Sequence, residues 1–236
     1  MPKLVYILSI LWFAYGFSST VDLPDSFRAK TVRDAIWPIL QKELSANNFK
    51  FPAPLYIRIF KDESLLEIWA KSGKQYRLFK SYDICYFTGG LGTKMREGDG
   101  KSPEGFYALT PHQLNPLSNY YLAINVGYPN KLERLKGYTG DAIMIHGHCA
   151  SIGCYAMTNP RIEEIYTLVY EAFKAGQQQI RLDIFPFRMD EQHLKKFGAH
   201  AEAAFWKTME PGYTRFEKSH LPAEFQIRHK SYAFAR

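Results

Sequence analysis

Two His, two Cys and a Ser fall within nine residues, His146-Gly147-His148-Cys149-Ala150-Ser151-Ile152-Gly153-Cys154. The run follows the apolar stretch Ala142–Ile145, which reads as a strand. Loops at strand ends are where catalytic groups are commonly held on a rigid scaffold. A thiol becomes a nucleophile when a nearby base raises its thiolate fraction. Its attack on a carbonyl also needs backbone N–H donors aimed at the developing oxyanion. Gly153 allows a tight turn, so that the N–H groups near Cys154 can point inward. His146, at the strand end, is placed to sit beside the thiol. Its other ring nitrogen needs an acceptor, and the Gly147 carbonyl would serve.

Zinc is the competing reading, because two His and two Cys suit a tetrahedral site by type. The spacing opposes it: His146 and His148 alternate, Cys149 adjoins His148, and no C-x-x-C pair exists. No metal and no other cofactor is expected. The bland alternative is a buried strand-end His with two inert core cysteines.

The elements that must position this run read as mixed α and β. Leu23–Asn48 has helical spacing, with Ala35, Ile36, Ile39, Leu40 and Leu44 on one face and Pro38 expected to kink or break it. From Leu55 the period is two. Leu55, Ile57 and Ile59 share a face of a first strand. Leu65–Ala70 and Gln75–Cys85 form a hairpin around Lys71–Lys74. Tyr120–Val126 and Ala142–Ile145 follow as strands. Asn159-Pro160 reads as N-cap and first helical residue of a helix ending near Gly176. Gln179–Phe185 returns to strand. A polar helical stretch is expected from Arg188 to Pro211-Gly212, and the last two dozen residues carry little pattern. The hairpin-first order points to an α+β fold with a mostly antiparallel sheet and appended helices.

The chain has 236 residues, 46% hydrophobic and 22% charged, which excludes a mainly disordered or fibrous protein. Its net charge of +7 suits an anionic polymer, a membrane face or nucleic acid without choosing among them. Three cysteines are too few for a disulfide scaffold. Met1-Pro2-Lys3 and the uncharged run Leu4–Phe17 resemble the start and h-region of a signal peptide, with cleavage after Gly16 or Ser18. The run is too short to span a bilayer comfortably, so no stable membrane span is expected after cleavage. Export implies an oxidising compartment and opposes nucleic-acid binding, as does the diffuse charge.

The segment His146-Gly147…Ser151-Ile152-Gly153-Cys154 resembles the active-site motif of the L,D-transpeptidase (YkuD-like) catalytic domain. Lys101-Ser102-Pro103-Glu104-Gly105-Phe106-Tyr107 resembles that family's strand entry, with Ser102 replacing Thr. The Gly89–Gly92 turn and Phe185–Met189 point to its YafK subgroup. The resemblance implies a mostly β catalytic fold with mixed sheets, and a periplasmic cysteine enzyme acting on peptidoglycan stem peptides. In that scheme Cys154 is the nucleophile and His146 the base. Gly147 orients the imidazole, and the N–H groups of Gly153 and Cys154 form the oxyanion hole. Two departures stand out. Ile152 replaces a His found in many members, and the spacer from His146 to Ser151 is short. The subgroup shares both and is associated with amide hydrolysis, including release of protein attached to diaminopimelate. Hydrolysis is placed ahead of transfer to an amine, and a murein-attached lipoprotein is a further expected partner.

The expected division is 1–18 signal peptide, 19–54 N-terminal helical segment and linker, 55–187 catalytic domain, and 188–236 C-terminal helical extension. His148, Ser151, Tyr155, Tyr86 and Arg188 are candidate substrate contacts. Each has a bland counterpart: loop His, turn Ser, core Tyr, solvated loop, structural ion pair. Lys94 and Tyr128 have the same two-sided reading. Cys85 and Cys149 either form a disulfide or remain two buried thiols. A non-catalytic murein-binding module is the alternative from another class. Thiol alkylation at neutral pH no faster than that of free cysteine would favour that module.

Overall fold

The computed structural model describes residues 22–235. The segment read as a signal peptide lies outside them. Among the described residues no helix is long and apolar enough to cross a membrane. The order is α1 (Phe27–Ala46), β1 (Leu55–Phe60), β2 (Leu65–Ser72), β3 (Gln75–Asp83), β4 (Gly105–Leu109), β5 (Leu114–Asn115), β6 (Ala123–Asn125), α2 (Lys131–Lys136), β7 (Met144–His146), β8 (Tyr155–Ala156), α3 (Asn159–Lys174), β9 (Ile180–Phe185), α4 (Glu191–Lys196), α5 (Ala203–Ser219), β10 (Phe225–Arg228) and β11 (Ser231–Phe234).

Among the described residues three sheets form: a five-stranded one ordered β3-β2-β1-β9-β4, a four-stranded one ordered β5-β6-β7-β8, and the β10-β11 hairpin. The α+β architecture is as expected. Most pairings are antiparallel, but β1 runs parallel to β9 and β7 parallel to β8.

β1 explains the layering. It lies between β2 and β9 and is buried along its whole length. Alternate side chains point to opposite faces. Leu55, Ile57 and Ile59 enter one core with Ile124, Ile145, Tyr155, Ile165 and Val169. Phe60 enters a second core with Phe106, Phe185, Trp206 and Tyr213, contributed in part by α5. Each fully buried side chain of this size is worth about 1.5–3 kcal/mol relative to exposure.

Several expectations need correction. α1 runs through Pro38 as one helix from Phe27, capped by Ser26. Its buried face carries Ala29, Val32, Leu40 and Leu44, whereas Ala35 and Ile39 are exposed. The helix cap before α3 is Thr158, with Asn159 the first helical residue. α5 continues through Pro211-Gly212 to Ser219, because Trp206, Met209, Tyr213 and Phe216 bury a continuous face. The C-terminal stretch that lacked a pattern forms the β10-β11 hairpin.

Candidate active site

The four-stranded sheet sets the site. His146 pairs with Ala123 and Met144 with Asn125 on β6. Ile145 pairs with Tyr155 and His146 with Ala156 on β8. Cross-strand partners share a face. The face carrying Ile124, Ile145 and Tyr155 is fully buried in the main core. The opposite face carries Met144 and His146, and Cys154, one residue ahead of β8, continues it beside Met144. His146 and Cys154 are therefore diagonal neighbours across a parallel pair.

Cys154 is the free cysteine, half-buried. Its sulfur accepts from the Met144 N–H at 3.4 Å and donates to the Ala142 carbonyl at 3.6 Å. Gly153 before it has φ of +100°, and a Cβ there would come 3.0 Å from the Lys101 carbonyl. Ser151 donates its hydroxyl to the Cys154 carbonyl at 2.7 Å, so it orders the turn that presents the thiol. Nδ1 of His146 lies 2.5 Å from the Gly147 carbonyl. An N–H at Nδ1 leaves Nε2 as the proton acceptor. No side chain fits at Gly147: a Cβ would stand 2.7 Å from the Asn159 Oδ1 and 2.9 Å from the Tyr120 carbonyl.

Electrostatics favours a neutral resting pair. Burial pushes the Cys154 thiol up from its ordinary value, opposed by the Met144 N–H and by Lys94. Burial also lowers the His146 imidazole, opposed by the Gly147 carbonyl. The thiol therefore keeps its proton at neutral pH, and the neighbouring imidazole is neutral there. This changes what alkylation can distinguish. Iodoacetamide is expected to label Cys154 slowly at pH 7, with the rate climbing only on the alkaline side of an ordinary thiol. Labelling at pH 7 faster than free cysteine would contradict the neutral pair.

The other candidates divide. Cys85 and Cys149 are joined by a disulfide, with Cα atoms 5.5 Å apart, which ties the His146–Cys154 run to the segment after β3. Tyr86 bridges to Ala156 and remains half exposed at the site. His148 is exposed in the left-handed region, and its N–H donates to the Asn159 Oδ1 at 3.0 Å. Tyr155 is not available as a substrate contact: it is wholly buried, its hydroxyl donating to the Pro103 carbonyl at 2.6 Å. Tyr128 is likewise a core residue. Arg188 is committed to Glu63 and Glu67, each at 2.9 Å, and lies 4.3 Å from the Phe60 ring. It is a structural ion pair rather than a substrate clamp. Lys94 is paired with Asp99 at 2.9 Å. Among the described residues no group of three or more His, Cys, Asp and Glu is arranged to hold a metal ion.

Two residues at the site went unread in the sequence. Asn159 binds the His148 amide, a role hidden by its resemblance to a helix cap. Tyr120 places its ring 4.6 Å from the His146 imidazole. It sits in a loop, and nothing in its spacing announces that contact.

A family model described as the L,D-transpeptidase catalytic domain, YkuD, matches residues 54–177. The Escherichia coli (strain K12) protein named "Putative L,D-transpeptidase YafK" is 46% identical over 184 residues, covering 78% of this chain and 75% of that one. Among solved structures, the helical cell shape determining protein Pgp2 from Campylobacter jejuni aligns over 80% of each chain at 19% identity and a TM-score of 0.46. Bd1075 of Bdellovibrio bacteriovorus aligns over 70% of this chain and 62% of its own at 21% identity and a TM-score of 0.40.

Proposed function

This chain belongs to the L,D-transpeptidase (YkuD) catalytic-domain family, and from that premise we propose that it is an exported cysteine amidohydrolase of peptidoglycan. It cleaves an amide at meso-diaminopimelate, in an L,D-crosslink or where a protein is attached. The observation that carries the reading is the His146–Gly147 contact on the same sheet face as the free Cys154.

The steps follow from the chain's own groups. Sγ of Cys154 attacks the amide carbonyl carbon while Nε2 of His146 takes the thiol proton. The N–H groups of Gly153 and Cys154 stabilise the oxyanion. His146 returns the proton to the leaving amine, which departs and leaves a thioester on Cys154. A water molecule, deprotonated by His146, then attacks the thioester. The acid is released and the thiol restored.

Water is favoured over an amine because the position before Gly153 is Ile152, 85% exposed and without a hydrogen-bonding side chain to orient an incoming amine. The family name supports the second reading, transfer of the acyl group to an amine. Incubating the protein with diaminopimelate-type sacculi carrying attached protein, with and without a D-amino acid, separates the two. Mass spectrometry is expected to find shortened or protein-free muropeptides in both conditions. Products carrying the D-amino acid would make it a transpeptidase. Unchanged sacculi would favour a binding module.

A further inference from the structure

The helix that precedes the matched domain holds a loop that borders the site. Ser26 caps α1 by accepting the Ala29 N–H at 3.1 Å, and the same hydroxyl donates to the Pro116 carbonyl at 3.0 Å. Arg28 Nη1 donates to the Ser118 carbonyl at 3.3 Å and the Tyr121 carbonyl at 2.8 Å. Its guanidinium lies 5.5 Å from the Tyr121 ring, and the Tyr121 hydroxyl donates to Glu163 of α3 at 2.6 Å.

This end of α1 is itself fixed. Arg33 binds Asp25 through two hydrogen bonds of 2.8 and 2.7 Å and lies 3.6 Å over Tyr170 of α3. Between the held carbonyls sits Tyr120. Its ring is 4.6 Å from the His146 imidazole at 40° and 6.4 Å from that of His148. The Gly147 N–H donates to the next carbonyl along, that of Leu122, at 3.0 Å. The loop and the His-Gly corner are thus joined, and α1 holds the same loop through the Pro116, Ser118 and Tyr121 carbonyls.

We propose that α1 is a brace for the catalytic base: Ser26 and Arg28 hold the Pro116–Tyr121 loop over the His-Gly corner, and Tyr120 is the positioning residue that fixes the His146 ring. The proposal rests on the reading of His146 as the base. Its physical content is preorganisation. A ring displaced by about 1 Å from the thiol costs on the order of 10²-fold in rate even when every reacting group is present. Pinning three carbonyls of a six-residue loop removes the freedom that would allow it.

The test uses the full chain with labelled histidine, reading the His146 ring signal by NMR together with kcat and KM on a diaminopimelate-crosslinked stem peptide. Tyr120→Ala is expected to shift the His146 signal by removing the neighbouring ring. Arg28→Ala is expected to shift it in the same direction and lower kcat about tenfold, with KM changing less than about threefold. Tyr120→Phe and Arg28→Lys are expected to stay close to wild type. The brace is rejected if Arg28→Ala keeps the wild-type ring signal and kcat, or lowers only the unfolding midpoint. Cys154→Ala separates the two layers. Turnover surviving in that variant overturns the catalytic reading. Its loss, with Arg28→Ala unchanged, overturns the brace alone.

Discussion

Replacing Glu104 with Ala is expected to cost about 3–5 kcal/mol of folding free energy, the usual loss when one partner of a buried ion pair is removed. Glu104 and Lys61 are both fully buried and 2.9 Å apart. All three Lys61 ammonium protons are used, on Glu104, on the Gly92 carbonyl at 2.9 Å and on the Ser102 carbonyl at 3.1 Å. Glu104 in turn accepts from the Gly92 N–H at 2.8 Å and the Trp206 indole at 2.7 Å. One carboxylate thus ties the end of β1, the glycine turn, the entry to β4 and α5 together.

In the Ala variant Lys61 keeps its desolvation penalty and loses its counter-charge, while the Trp206 N–H loses its acceptor. Lys61 holds the Ser102 carbonyl, next in the chain to Lys101, whose carbonyl would lie 3.0 Å from a Cβ at Gly153. Urea denaturation of wild type and variant measures the loss. A difference below about 1 kcal/mol, the range of ordinary surface pairs, would contradict this role.

The second large effect is on turnover. His146→Ala is expected to lower kcat by about 10²–10⁴-fold, the usual contribution of a positioned acid–base group. The pH profile carries the sign. On the proposed mechanism His146 acts as a base only when neutral, and its burial lowers its pKa below the ordinary 6.5. The acid limb of kcat/KM is therefore expected below that value in wild type and absent in His146→Ala. Residual activity in the variant is expected to rise on the alkaline side, where the thiol ionises without help. An acid limb above the ordinary histidine value would contradict a buried, neutral base.

What the sequence made legible was local. The run from His146 to Cys154 is contiguous, and its strand, glycine turn and carbonyl partner all lie within a few residues. What it hid depended on approach in space. The Cys85–Cys149 link spans 64 residues, so spacing alone left it open. The parallel pairing of β9 with β1 was masked by a chain that starts with hairpins. Tyr120 meets His146 from the loop before β6, and Arg28 of α1 reaches the Ser118 and Tyr121 carbonyls of that loop from some ninety residues away in sequence. The β10-β11 hairpin turns at His229-Lys230, both with positive φ and neither a glycine or asparagine, so the usual hairpin signal is missing. Arg188 and Tyr155 were read as possible substrate contacts because an arginine and a tyrosine suit that role. Their partners, Glu63, Glu67 and the Pro103 carbonyl, are remote in sequence.

The most direct measurement is of the covalent intermediate. Wild-type protein mixed with a diaminopimelate-crosslinked stem peptide, quenched in acid within the first turnover and digested, is read by mass spectrometry. The expected result is an acyl fragment on the peptide containing Cys154, decaying to free acid as turnover proceeds and absent from Cys154→Ala. Turnover in Cys154→Ala, or an acyl group carried by any other residue, would contradict the assignment of Cys154 as the nucleophile.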